Sequence, residues 1–281
     1  MALSQKFIES TVDHKFHNDW EKTNAVLLKS PHIFLSSFPR SGNGWVRLVL
    51  AAIILEANGI DIGSIEVIKK RTNAGVPYNY LSLGKQGYNL EEIFPNIYIF
   101  EPNTHYEKMS DNVKSLNLPV KLIKTHHLVD CKFSKTIFLF REILSCLTSS
   151  SLLLNKAEIE NNPRKINDTI AYMAKFYKEM LEYYINQKTK YPEHCLFLNH
   201  ETISRGKAIS EFASVMDFLG MKVDITMIEK VLVKFPFNSG YQKNCEQYIN
   251  DSTKLLIENL LGKYYERAIS ISNSQSGLTK F

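Results

Sequence analysis

Short apolar runs alternate with longer stretches of helical periodicity along most of this chain. Runs at Ile33–Ser37, Val120–Lys124, Thr136–Phe140 and Cys195–Asn199 are too short for helices and are β-rich or bounded by turn residues, so they predict strands. Apolar residues spaced three and four apart predict helices over Trp45–Ala57, Ser145–Lys156, Asn167–Gln187, Lys207–Leu219, Ile225–Lys234 and Asn250–Ala268. Strands that alternate with helices imply a parallel sheet with crossover helices on both faces. The expected fold is α/β, a three-layer sandwich with a central parallel sheet flanked by helices. Residues 1–30 read as an irregular or helical lead-in.

Residues 58–119 break this rhythm. Gly59, Gly63, Gly75, Pro77, Gly84, Gly87, Pro95, Pro102 and Pro119 punctuate a stretch that carries Tyr78, Tyr80, Tyr88, Tyr98 and Tyr106. A long aromatic insert between strands is expected to serve as a binding wall or lid, and a variable surface loop is the plain alternative. The whole chain, 1–281, is read as one domain that carries this insert.

Composition narrows the classes. Lys and Arg number 34 against 29 acids, a net charge of +5. That excess suits an anionic small ligand and falls short of a nucleic-acid-binding signature. Cys131, Cys146, Cys195 and Cys245 lie far apart with no Cys-x-x-Cys pair, so neither a zinc site nor a disulfide framework is expected, and a reducing, cytoplasmic setting fits. The apolar run Val46–Ala57 contains Arg47 and reaches about half a bilayer span. Ile137–Leu154 carries Arg141, Glu142 and several serines. Both read as buried strand–helix units, and a soluble protein without a membrane partner is expected.

In a parallel sheet, ligands bind at the C-terminal ends of the strands, and three chemically loaded turns fall there. The first is Ser36-Ser37-Phe38-Pro39-Arg40-Ser41-Gly42-Asn43-Gly44-Trp45, between a strand and a helix. Glycines at such a turn permit positive φ and close approach, so backbone N–H groups can be aimed at a phosphate. Arg40 adds a permanent fork-shaped charge. A polar loop with two glycines is the plain alternative. It is not a Walker A loop, because no Gly-Lys-Ser/Thr closes it. The second turn, Lys124-Thr125-His126-His127, puts a cation and an imidazole two residues apart on one strand face, where histidine is the usual general base near neutral pH. The third runs from Arg141 into a helix for which Ser145 is the expected N-cap, with Ser149 placed inside it.

Together these turns resemble the sulfotransferases that use 3′-phosphoadenosine 5′-phosphosulfate (PAPS), whose phosphosulfate loop reads Tyr-Pro-Lys/Arg-Ser-Gly-x-Thr-Trp. Phe38-Pro39-Arg40-Ser41-Gly42-Asn43-Gly44-Trp45 is similar to the versions with Arg. The family's Lys-Thr-His stands as Lys124-Thr125-His126, and its Arg-to-Ser spacing of eight matches Arg141 and Ser149. A later Tyr-Glu-Asp-Leu element is echoed by His200-Glu201-Thr202-Ile203. The resemblance covers about residues 30–220 and implies a P-loop-like nucleotide-binding architecture. It implies His126 as the base, Arg40 stabilising the departing phosphate and Lys124 holding the sulfuryl oxygens. It also implies that amides of Ser41, Gly42, Asn43 and Gly44 bind the 5′-phosphate and that Trp45 stacks on adenine. Arg141 and Ser149 would take the 3′-phosphate, and His200 would assist beside Trp45. No metal is implied.

The departures are informative. Gly44 replaces a threonine that normally touches the 5′-phosphate, and the family's C-terminal Arg-Lys-Gly element survives only as Asn238-Ser239-Gly240-Tyr241-Gln242-Lys243, with Lys243 its clear cation. The implied acceptor is a small molecule with a hydroxyl or amine, such as a phenol, alcohol or natural product. Two other readings stay open at this point, a small-molecule kinase on a P-loop-like fold and a non-catalytic nucleotide-binding protein.

Overall fold

The structure, a computed structural model, describes residues 32–71, 77–83, 86–94, 121–126, 128–237 and 249–276. Four strands, β1 (His32–Ser37), β5 (Lys121–Thr125), β6 (Lys135–Phe140) and β7 (Cys195–Asn199), form one parallel sheet in the order β5-β1-β6-β7. The flanking helices are α1 (Asn43–Ala57), α2 (Ile143–Asn161), α3 (Lys165–Lys190), α4 (Ala208–Phe218), α5 (Ile225–Lys234) and α6 (Asp251–Ser276). The expected sandwich is what the chain builds, and the four predicted strands match within one residue at each end.

Alternation within the strands divides the core in two. Ile137 and Leu139 of β6 pack with α1, α4 and α5 on one face, while Phe138 and Phe140 pack with α2, α3 and α6 on the other. Every residue of β1 is buried, as a strand covered on both faces must be. The second layer is aromatic at its centre. Phe138 stacks on Tyr184 of α3 at 4.4 Å and meets the edge of Phe197 of β7 at 5.3 Å.

β7 lies at one edge of the sheet, and α6 closes it. The Phe197 N–H donates to Gln275 Oε1 at 3.0 Å, and Ser272 Oγ donates to the Phe197 carbonyl at 3.4 Å. Helix side chains thereby take up hydrogen-bonding groups that an open strand edge would expose. This also explains why α6 runs to Ser276, well past the predicted Ala268.

Two sequence expectations are corrected. The insert is more than turns: β2 (Ile65–Arg71), β3 (Pro77–Leu83) and β4 (Gln86–Asn89) form a second, antiparallel sheet in the order β2-β3-β4. Its glycines and prolines mislead because several stand beside strands rather than within them, with Pro77 opening β3, where a missing N–H is tolerated. Helix α2 starts at Ile143, and its N-cap is Glu142 rather than Ser145. The Glu142 carboxylate accepts from the N–H groups of Leu144 and Ser145 at 2.8 and 2.7 Å. A carboxylate there also suits the positive end of the helix dipole. The expectations for residues 1–30 and for Tyr98, Tyr106 and Lys243 lie outside the described residues. Among the described residues no helix is long and apolar enough to cross a membrane.

Truncating Phe138 would open a cavity in the aromatic layer it forms with Tyr184 and Phe197. Phe138→Ala is expected to cost about 3–5 kcal/mol in urea unfolding. A loss below about 1 kcal/mol would contradict the packing described.

Candidate active site

The chain turns from β1 into α1 within five residues, and two of them, Arg40 (φ 67°) and Gly42 (φ 89°), lie in the left-handed region. The Ser41 N–H closes the turn on the Phe38 carbonyl at 3.3 Å. Helix α1 then begins at Asn43 with Gly42 as N-cap and no capping side chain. Trp45 and Val46 donate to the Gly42 carbonyl, each at 3.2 Å, and the N–H groups before them, those of Gly42, Asn43 and Gly44, point out of the positive end of the helix. Asn43 Nδ2 donates back to Ser37 Oγ at 2.9 Å, tying the helix start to the strand end.

The two glycines of this loop differ. A Cβ on Gly42 would lie 2.4 Å from Cδ2 of His200 and 2.8 Å from its Nε2, and the backbone there is left-handed. A Cβ on Gly44 would meet nothing within 4 Å. Only Gly42 is required by the backbone, and Gly44 leaves open space at the mouth of the helix.

Helix α2 holds the loop from the opposite side. The Pro39 carbonyl accepts from Ser150 Oγ at 2.8 Å and from Cys146 Sγ at 3.3 Å. Burial pushes the Cys146 thiol up to about 12, so it stays a neutral donor. Arg40 Nε donates to Ser149 Oγ at 3.1 Å, and Arg141 Nη1 donates to the Arg40 carbonyl at 3.0 Å. Arg141 is fixed in turn by Tyr177 of α3, whose hydroxyl accepts from the Arg141 N–H at 3.0 Å and donates to its carbonyl at 2.6 Å. Burial pushes that phenol well above its ordinary range and keeps it protonated. Within this knot, Arg141 Nε is buried with no hydrogen-bond partner.

At the end of β5, His126 Nδ1 donates to the Ser37 carbonyl at 2.6 Å. The neutral ring therefore carries its lone pair on Nε2, and Lys124 Nζ is hydrogen-bonded to that atom. Lys124 itself is buried. Beyond β7, buried His200 meets the ring of Phe237 edge-on at 5.1 Å, and Phe237 meets Trp45 in the same way at 5.1 Å. Trp45 Nε1 donates to the Phe235 carbonyl at 2.9 Å, which fixes the indole plane.

A family model described as Sulfotransferase domain matches residues 30–268. The chain belongs to the sulfotransferase family. Among solved structures, mouse sulfotransferase SULT7A1 complexed with PAP aligns over 88% of this chain and 89% of that one, with a TM-score of 0.50 and 12% identity. That likeness is one of fold. No curated protein matches the sequence.

The structure of this sulfotransferase gathers the sequence-expected residues Arg40, Ser41, Gly42, Asn43, Gly44, Trp45, Lys124, His126, Arg141, Ser149 and His200 at the C-terminal ends of β1, β5, β6 and β7. Ser41 contributes differently from the expectation: its N–H is used in the turn, and its Oγ lies 3.4 Å from Cys146 Sγ. The amides at the helix mouth are those of Gly42, Asn43 and Gly44. Sequence reading missed Tyr177, Cys146, Ser150 and Phe237. All but Phe237 act through packing or a backbone group, which leaves no local motif; Phe237 adjoins Phe235-Pro236 but carries no polar signal.

The contrast between the glycines is directly testable by urea unfolding. Gly44→Ala is expected to stabilise the sulfotransferase by about 0.5–1 kcal/mol, the usual gain inside a helix. Gly42→Ala is expected to cost about 2 kcal/mol or more, because left-handed strain adds to the collision with His200. Equal effects would contradict the loop geometry.

Proposed function

We propose that this sulfotransferase moves a sulfuryl group from PAPS to a hydroxyl or amine of a small-molecule acceptor. The observation that carries the reading is the meeting of Arg40, Arg141 and Ser149 at an uncapped helix N-terminus, with the Lys124–His126 pair on the neighbouring strand.

The residues fit such a donor in three respects. The pressed-in Gly42 leaves no side chain between the helix amides and an anion. Arg141 Nε is a buried donor with unused capacity, as a phosphate would require. The aromatic group Trp45–Phe237–His200 offers a surface for a base. On this reading, amides of Gly42, Asn43 and Gly44 hold the 5′-phosphate, and Arg141 with Ser149 holds the 3′-phosphate. Lys243 would be a further cation for it. PAPS supplies an activated sulfuryl group with a nucleotide bisphosphate as leaving group.

The chain itself then has to position, neutralise charge and take one proton. His126 Nε2 takes the proton of the acceptor hydroxyl or amine, while the Ser37 carbonyl fixes the ring through Nδ1. Lys124 Nζ holds the Nε2 lone pair; for the base to act, Lys124 turns from Nε2 to the charge on the transferring group, and the freed lone pair accepts the proton. Arg40 offsets charge on the departing phosphate.

The acceptor side is assigned to the insert, residues 58–119, within the single domain. Arg47, one turn into α1, is buried and donates through Nε to the Phe94 carbonyl at 3.1 Å. The insert is thus anchored to the helix that opens the donor site. Its tyrosines, with Glu91, Glu92, Glu101 and Asp111, suit an aromatic or cationic acceptor. Buried free thiols at Cys131, Cys146 and Cys195 support a cytoplasmic setting.

Adenosine 3′,5′-bisphosphate at about 100 times its Kd is expected to add roughly 2.7 kcal/mol of stability, with ATP and 5′-AMP far less effective. Equal shifts from ATP would turn the assignment toward a kinase-like site. His126→Ala is expected to lower kcat by about 10²–10⁴-fold, measured as transfer from labelled PAPS. Near-wild-type turnover would remove His126 from proton transfer.

A further inference from the structure

We infer that Glu201 is the positioning residue of the donor site, one carboxylate that fixes both of its halves. The inference rests on the donor assignment above but concerns a residue that this assignment leaves idle. Glu201 follows His200 at the exit of β7, and its side chain is 18% exposed. Oε1 accepts from His200 Nδ1 at 3.2 Å, and Oε2 accepts from the Tyr265 hydroxyl of α6 at 3.3 Å. Its own N–H is held by Asn199 Oδ1 at 2.9 Å.

Each bond leads to a different part of the site. Through His200 the carboxylate reaches the phosphate loop, because the His200 ring occupies the space where a Gly42 Cβ would stand. Through Tyr265 it reaches Phe140, the strand residue just before Arg141. The Tyr265 ring meets Phe140 edge-on at 5.9 Å and braces the carboxylate from α6. Burial works to raise the Glu201 carboxyl, but the lowering causes, led by the hydrogen bond from His200, outweigh it and hold the group below the usual carboxylate range. It therefore stays ionised and able to accept several bonds at once. With Nδ1–H committed to Glu201, His200 turns Nε2 toward the loop. A tyrosine, which the resembled Tyr-Glu-Asp-Leu element has here, carries no ring nitrogen that could donate to the next residue's carboxylate. In this chain the carboxylate and the imidazole work as a pair.

The test uses the full chain and three variants, with binding and tautomer as its deciding readouts and KM and Tm beside them. Calorimetry with adenosine 3′,5′-bisphosphate gives Kd, and long-range ¹H–¹⁵N NMR gives the His200 tautomer. In the wild type Nδ1 is expected to carry the proton. Glu201→Ala is expected to weaken bisphosphate binding about tenfold or more and raise KM for PAPS in step, as loss of a hydrogen-bonded charge implies, while acceptor KM stays unchanged. It is also expected to release the single His200 tautomer. Glu201→Gln keeps the shape and one acceptor oxygen, so a smaller loss is expected; it serves if the alanine variant does not fold. Gln275→Ala, also on α6 but outside this network, is expected to lower Tm with no change in Kd. Unchanged bisphosphate affinity in both Glu201 variants would overturn the inference, as would an unchanged His200 tautomer. If the wild type bound no bisphosphate, the donor assignment would fall, and the tautomer comparison alone would decide the positioning claim.

Discussion

The site depends on a backbone reversal that only a left-handed turn can make. Between Ser37 and Asn43 the chain must stop being a strand and present the open end of a helix, and it does so with positive φ at Arg40 and Gly42. A side chain at Gly42 would strike His200, so the turn and the exit of β7 are packed as one unit. Left-handed backbone at a non-glycine residue costs free energy and persists only where the surroundings impose it. Here Arg40 is imposed on from both ends: Arg141 bonds its carbonyl and Ser149 bonds its side chain.

Those surroundings come from distant sequence. Ser150 and Cys146 hold Pro39, and Tyr177 holds the backbone of Arg141. Phe38 lies against Tyr177 at 4.8 Å, so the same phenol that grips one strand exit also supports the loop of another. Across the sheet, the Ser37 carbonyl orients His126. The end of β1 thus serves as loop start, as ring anchor for the base and, through Ser37 Oγ, as the tie to α1. A parallel sheet makes this economy possible, because it delivers every strand exit to one edge.

Much of this could be read from sequence, for reasons tied to particular residues. Ile33–Ser37 and Cys195–Asn199 are short, apolar and buried on both faces, which makes strands legible without neighbours. The motif residues announced themselves by charge and glycine at strand exits. What escaped was non-local or hidden by punctuation. The β2–β4 sheet lies among glycines and prolines that suggested only turns. Glu142 displaced Ser145 as helix cap because a longer carboxylate can reach two amides at once. Tyr177 acts through main-chain atoms 36 residues away, and no local pattern encodes such a partner. The opposite lesson comes from Gly44, whose place in a glycine loop suggested necessity while the structure gives it free space.

A crystal structure with adenosine 3′,5′-bisphosphate would test the central claim most directly. The account predicts the 5′-phosphate on the amides of Gly42, Asn43 and Gly44 and the 3′-phosphate between Arg141 and Ser149. A nucleotide bound elsewhere, or bound there with its phosphates away from the mouth of α1, would contradict it.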